Sequence, residues 1–177
     1  MSGKQRLEKR FAMKQYSTAY ILLLVICLLV AGIACGGGGD QSATTAEGLL
    51  PEKGLPAGVE HQETEVLSDS AAPQGVTEYS SVAGATYTWN GAIIEMSAIT
   101  CDSEQEAEVV LQETLESIPA DIMSESSISF NGHEAIKLSS NSAQFCMILW
   151  RSGTNVFVVS GEAPEETVIE IAQATGY

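Results

Sequence analysis

Hydrophobic and polar positions divide the chain into three textures. An unbroken apolar run from Ile21 to Ala34 comes first, and a long polar stretch with scattered apolar residues follows it. After Gly84 the pattern changes to short segments with periods of 2 and 3.6. In this last part ATYTW (85–89) and AIIEMSAIT (92–100) flank Asn90-Gly91. That pair tolerates the positive φ of a tight hairpin turn, so the two segments predict antiparallel strands. Ser103 and Glu106 then have the spacing of a capping box, and Ala107, Val110, Leu111, Leu115 and Ile118 recur three or four residues apart. They predict a helix with one apolar face, ended by Pro119. Its outward face carries Glu104, Glu108, Glu113 and Glu116 with no basic partner, so packing of the stripe must hold it.

SSISF (126–130) and EAIKL (134–138) bracket a second Asn-Gly, at 131–132. A two-residue turn would pair Phe130 with His133 and leave Ile136 and Leu138 facing away from Phe130. A three-residue loop, Asn131 to His133, pairs Phe130 with Glu134 and gathers Ile128, Phe130, Ile136 and Leu138 on one face; this is the expected register. It leaves His133 at an exposed turn. AQFCMILWR (143–151) and NVFVV (155–159), joined by Ser152-Gly153-Thr154, are nearly continuous apolar runs and predict central strands covered on both faces, or on one face by helices and on the other by a partner layer. Pro164 opens a second helix, with Glu165 and Glu166 at its positive end, an inward stripe of Val168, Ile171, Ala172 and Thr175, and Gly176 as the stop. The expected fold is α+β, a mostly antiparallel sheet of about six strands with two packed helices.

The polar stretch, residues 35–84, is rich in Gly, Ser, Thr, Ala and Glu, carries Pro51, Pro56 and Pro73, and has no sustained period. It reads as a flexible acidic linker that would reach on the order of 40 Å as a coil. Leu49, Leu50, Leu55 and Val59 read as scattered apolar residues within it rather than as a docking segment. His61, between Glu60 and Glu63, reads as solvated rather than as a metal ligand.

Charge changes the picture. Lys4, Arg6, Lys9, Arg10 and Lys14 precede the apolar run, whereas three basic residues, Lys53, Lys137 and Arg151, face 22 acidic ones from Cys35 onward. A body this acidic repels phosphate backbones, which argues against nucleic-acid binding. A positive head, an apolar run and small residues before Cys35 have the anatomy of an export signal. The run is shorter than the roughly 20 residues that span a bilayer. The uncharged window nevertheless extends from Gln15 to Gly39, which keeps an uncleaved anchor helix open. Four glycines after Cys35 end the helix there.

Gly32-Ile33-Ala34-Cys35, preceded by leucines and followed by a glycine run, resembles a prokaryotic lipobox, with Gly32 where leucine is usual. The resemblance implies that Cys35 becomes the lipid-modified first residue of a mature lipoprotein. Residues 1–34 are then a lipoprotein signal peptide or an N-terminal membrane anchor, and 85–177 a small α+β domain facing the cell exterior or the periplasm. The order of elements, and the ending ILWRSGTNVFVVSGEAPEETVIEIAQATG, resemble the small Mog1/PsbP-like α/β modules of exported lipoproteins. That likeness rests on pattern and transfers no functional residue.

Cys101 and Cys146 remain in the mature chain. In an oxidising compartment they are expected either to form a disulfide, if their strands are neighbours, or to stay as two buried thiols. A bridge closing a loop of about 45 residues would contribute roughly 4 kcal/mol. No Gly-x-Ser-x-Gly elbow, phosphate-cradling glycine loop, His-Glu-x-x-His or EF-hand loop occurs in the sequence. The paired acids Glu104-Glu106 and Glu165-Glu166 serve helix ends first. The reading is therefore no enzyme, no catalytic, cofactor-binding or metal-ligating residue, and no cofactor. The partners expected are the membrane, through lipid at Cys35 or an N-terminal helix, and a protein. The function expected is an extracytoplasmic binding module, or alternatively a structural or assembly subunit of an envelope complex.

Overall fold

The computed structural model describes residues 45–67, 79–118, 123–140 and 143–177. The apolar run and Cys35 lie outside these residues. Within them the chain forms a short 3-10 turn (Ala46–Leu49), three strands, a helix, four strands and a helix. The strands are β1 (Val59–Leu67), β2 (Tyr79–Trp89), β3 (Ala92–Cys101), β4 (Met123–Phe130), β5 (His133–Ser140), β6 (Cys146–Ser152) and β7 (Asn155–Gly161). The helices are α1 (Glu104–Glu116) and α2 (Glu165–Ala174). All seven strands make one sheet in the order β1-β2-β3-β7-β6-β5-β4, and every neighbouring pair is antiparallel.

The α+β class, the antiparallel sheet and the two helices are as the sequence predicts, but the strands number seven rather than about six. The added strand, β1, comes from the stretch expected to be linker. Its sequence, VEHQETEVL, has no run of alternating apolar residues, and main-chain pairing to β2 from Val59↔Trp89 to Leu67↔Val82 places it in the sheet. Leu49, Leu50 and Val59 are buried and Leu55 packs against them, so these residues do dock. Ala46 N–H donates to Ser81 Oγ at 3.0 Å and Tyr87 Oη–H donates to the Pro51 carbonyl at 3.0 Å, which lashes this segment across β2. The folded part thus begins by Thr45, ten positions after Cys35, so the distance between them is at most about 35 Å.

Two apolar layers flank the sheet. On one side Val168, Ile171 and Ala172 of α2, with Leu49 and Leu50, cover Tyr87, Ile94, Met96, Ile148, Trp150, Phe157 and Val159. On the other, Ala107, Val110 and Leu111 of α1 cover Val82, Ile99, Leu149 and Val156. β6 shows the consequence: successive residues Cys146 to Trp150 alternate between the two layers, and all five are buried. β7 and β6 are inner strands, as their continuous apolar runs predict.

α1 carries the expected cap. Ser103 Oγ accepts the Glu106 N–H at 3.2 Å and Glu106 Oε2 accepts the Ser103 N–H at 3.1 Å. Its acidic face does have a cationic partner, contrary to the expectation. Arg151 on β6 lies 3.2 Å from Glu108 and 3.6 Å from Glu104. A guanidinium from a distant strand is invisible to spacing along the helix.

The β4–β5 hairpin also differs. Phe130 pairs with His133 and Ile128 with Ala135, around a two-residue turn in which Asn131 and Gly132 have φ of 50° and 83°. The three-residue loop assumes that all apolar side chains share one face. With both faces covered there is no such requirement: Ile128, Phe130 and Ala135 join the α2 side, and Ile136 and Leu138 the α1 side. Asn-Gly then takes its favoured turn.

Candidate functional site

Cys101 and Cys146 are both free and both buried, so of the two expected states the structure shows buried thiols and no disulfide. Their strands are not neighbours, since β7 lies between β3 and β6. Cys146 is level with Gly161 and Ile94, whereas Cys101 lies seven residues along β3 from Ile94, about 20 Å away at the rise of a strand. The thiols also belong to opposite apolar layers. No rotamer choice bridges that separation. Burial, with Glu106 and Asp102 adding to it, pushes the Cys101 thiol up to about 11, and burial first, then Glu165, does the same to Cys146. Melting temperatures with and without reductant should therefore coincide. Iodoacetamide at pH 8 should label the native chain far more slowly than the chain in urea, read by intact mass. A reductant-dependent melt would contradict this arrangement.

The histidines lie apart. His61 Nε2 is 2.7 Å from Thr64 Oγ1 and its ring lies 5.6 Å from that of Tyr87, so it is half-buried rather than fully solvated. His133 closes the β4–β5 hairpin, half-buried. Among the described residues no group of three His, Cys, Asp or Glu side chains could hold a metal ion. Of the acids singled out in the sequence, Glu104 and Glu108 face Arg151, and two others have structural partners. Glu106 caps α1, and Glu165, in the first turn of α2, takes a 2.5 Å contact from Lys137 on β5.

One polar row was not foreseen. Glu63, Thr86, Glu95 and Ser160 are directly opposite one another on β1, β2, β3 and β7, on the face that α1 shares. Glu95 is half-buried, and burial raises its carboxyl above the usual range. The alternation in AIIEMSAIT carries the signal: Ile94, Met96 and Ala98 take one face and leave Glu95 and Ser97 on the other. The row sets the hydroxyls of Thr86 and Ser160 on either side of the Glu95 carboxyl. A second feature is an open groove of about 470 Å³ between the 54–57 loop and α2, lined by Gly54, Pro56, Ala57, Glu170, Gln173 and Ala174. Glu170 and Gln173 are the polar side chains of its lining, so it presents few convergent polar groups. No helix of the described residues is long and apolar enough to cross a membrane.

The surface is instead dominated by carboxylates. Two of the three cations after Cys35, Lys137 and Arg151, are engaged with glutamates of α2 and α1. On the outer strand β4, Ser124 to Ser127 and Ser129 are exposed.

A family model described as a domain of unknown function, DUF4367, matches residues 62–174. The chain belongs to the DUF4367 family. In this member the matched span runs from β1 to the last turn of α2, and it therefore takes in all but the first few residues of the sheet. No curated protein matches the sequence. Among solved structures, the extracellular domain of PknH from Mycobacterium tuberculosis is similar, with a TM-score of 0.50 at 8% identity, covering 80% of this chain and 97% of that one. A GTP binding regulator from Thermotoga maritima matches with a TM-score of 0.44 at 11% identity, covering 67% of this chain and 78% of that one. At such identity the first likeness concerns the fold alone.

Proposed function

We propose that this DUF4367 protein is an exported lipoprotein, held on the membrane by acyl groups on Cys35, whose folded domain is an interaction module outside the cytoplasm. The observation that carries the reading is the apolar run that stops at Cys35, with five basic residues before it and four glycines after it. Two acyl chains hold a protein stably on a bilayer, whereas one does so only marginally. The likeness of the fold to an extracellular domain supports a location beyond the membrane. The ten positions from Cys35 to Thr45 then hold the start of the folded part within about 35 Å of the acylated residue. A partner on or in the same membrane is within its reach.

Expression with labelled palmitate tests the anchor. The wild-type chain should carry label and sediment with membranes, and Cys35→Ala should lose the label and keep the mass of the unprocessed chain. Label-free retention of both at full length would replace the lipid with an uncleaved helix, the reading that the uncharged window Gln15 to Gly39 favours. In that case a structural or assembly subunit of an envelope complex becomes the stronger role.

A further inference from the structure

An open sheet has two outer strands, and here they are guarded unequally. β1 carries Glu60, Glu63 and Glu65 and a break of register between His61 and Glu63, devices that discourage another strand from pairing. β4, MSESSISF, has one charge, no proline and an unbroken register with β5 from Met123↔Ser140 to Phe130↔His133. No other described strand pairs with it. A two-residue hairpin closes on a hydrogen-bonded pair, so Phe130, Ile128, Ser126 and Ser124 direct their main-chain groups to β5. Glu125, Ser127 and Ser129 therefore direct theirs outward, and all three are exposed.

Side chains beside that edge are of two kinds. On the α1 side Glu125 is in line with Ser127 and Ser129, and Glu134 stands opposite Ser129. On the α2 side Ile128 packs against the apolar layer at its rim. We propose that β4 accepts an extended segment of a partner protein as an added strand, and that this segment alternates basic with apolar residues. The inference rests on the reading of the domain as an interaction module. Charge selects the occupant. The chain beyond Cys35 has 22 acidic residues, and Lys137 and Arg151 are tied to glutamates, so the edge lies in a negative field that draws a basic strand. A second copy would bring the same negative charge to the contact.

The test uses the full chain in nonionic detergent micelles and a short fluorescent peptide of alternating lysine and valine, with binding read by anisotropy. Ser127→Pro removes an outward N–H and leaves the β5 ladder intact, and is expected to weaken binding about tenfold. Ser127→Lys keeps the backbone donor and sets a like charge against the peptide, so it should weaken binding whether or not the proline variant folds. Glu125→Gln should weaken it as well, whereas Glu65→Gln on β1, an identical change in net charge, should leave it unaltered. Unchanged affinity in the Ser127→Lys variant, or equal losses from Glu65→Gln and Glu125→Gln, would overturn the proposal in favour of diffuse attraction. A dimer dissolved by Ser127→Lys would assign the edge to a second copy. The palmitate experiment reads membrane retention alone, so failure of the anchor and failure of the edge are told apart.

Discussion

Trp150→Ala is expected to remove about 3–5 kcal/mol of stability, the largest loss from a single side chain in this domain. Trp150 is fully buried on β6 and is the middle of an aromatic file. Phe130 of β4 meets its ring edge-on at 5.2 Å, Phe157 of β7 stacks on it at 4.8 Å, and Tyr177 stacks on Phe157 at 5.5 Å. Each such pair contributes about 0.5–1.5 kcal/mol beyond its buried area. The file joins β4, β6 and β7, with β5 between the first two, and reaches Tyr177, so a cavity at Trp150 loosens β4, β6 and the C-terminal residues together. Trp150 Nε1 has no hydrogen-bond partner among the described residues. Trp150→Phe therefore breaks no polar contact there and should cost only about 1–2 kcal/mol. Urea denaturation followed by far-UV circular dichroism checks both values. Equal losses from alanine and phenylalanine would show that the file does not act through ring packing.

Gly161→Ala is expected to cost about 1–3 kcal/mol, a large effect for one added methyl. Gly161 ends β7, paired with Ile94 on one side and Cys146 on the other. A Cβ there would lie 2.8 Å from the Ile93 carbonyl oxygen and 3.0 Å from Ile94 Cα. Both are backbone atoms of β3, and a paired inner strand cannot retreat without breaking its ladder. The requirement is close approach rather than positive φ, which separates Gly161 from Gly91 and Gly132 in the hairpin turns. Thermal melts of Gly161→Ala beside Gly153→Ala test the distinction. Gly153 has φ of 60° and open space around it, so its substitution strains only a turn. A stable Gly161→Ala variant would mean that β3 and β7 can separate locally.

Much of this architecture could be read without coordinates. Asn90-Gly91 with its flanking strands, the Ser103/Glu106 cap, the stripe Ala107-Val110-Leu111 and the helix start at Pro164 are all local, and each appears where its spacing puts it. The misreadings share one cause. β1 is held by main-chain pairing, and main-chain hydrogen bonds leave no trace in side-chain pattern. The β4–β5 register turned on whether one face or two are covered. The partner of Glu108, the separation of Cys101 from Cys146 and the alignment of Glu63, Thr86, Glu95 and Ser160 all depend on strand order.

By itself the sequence determined the elements with strong local signals, the excess of negative charge and the apolar stretch that stops at a cysteine, because turn propensity, capping, periodicity and charge are properties of neighbouring residues. Only the tertiary structure decided which strand joins which. That choice placed VEHQETEVL at one rim and SESSIS at the other, as the two outer strands among the described residues, and kept the two thiols apart. The reason is physical: pairing between distant strands is fixed by which arrangement buries both apolar layers at once, a condition that no single segment can express.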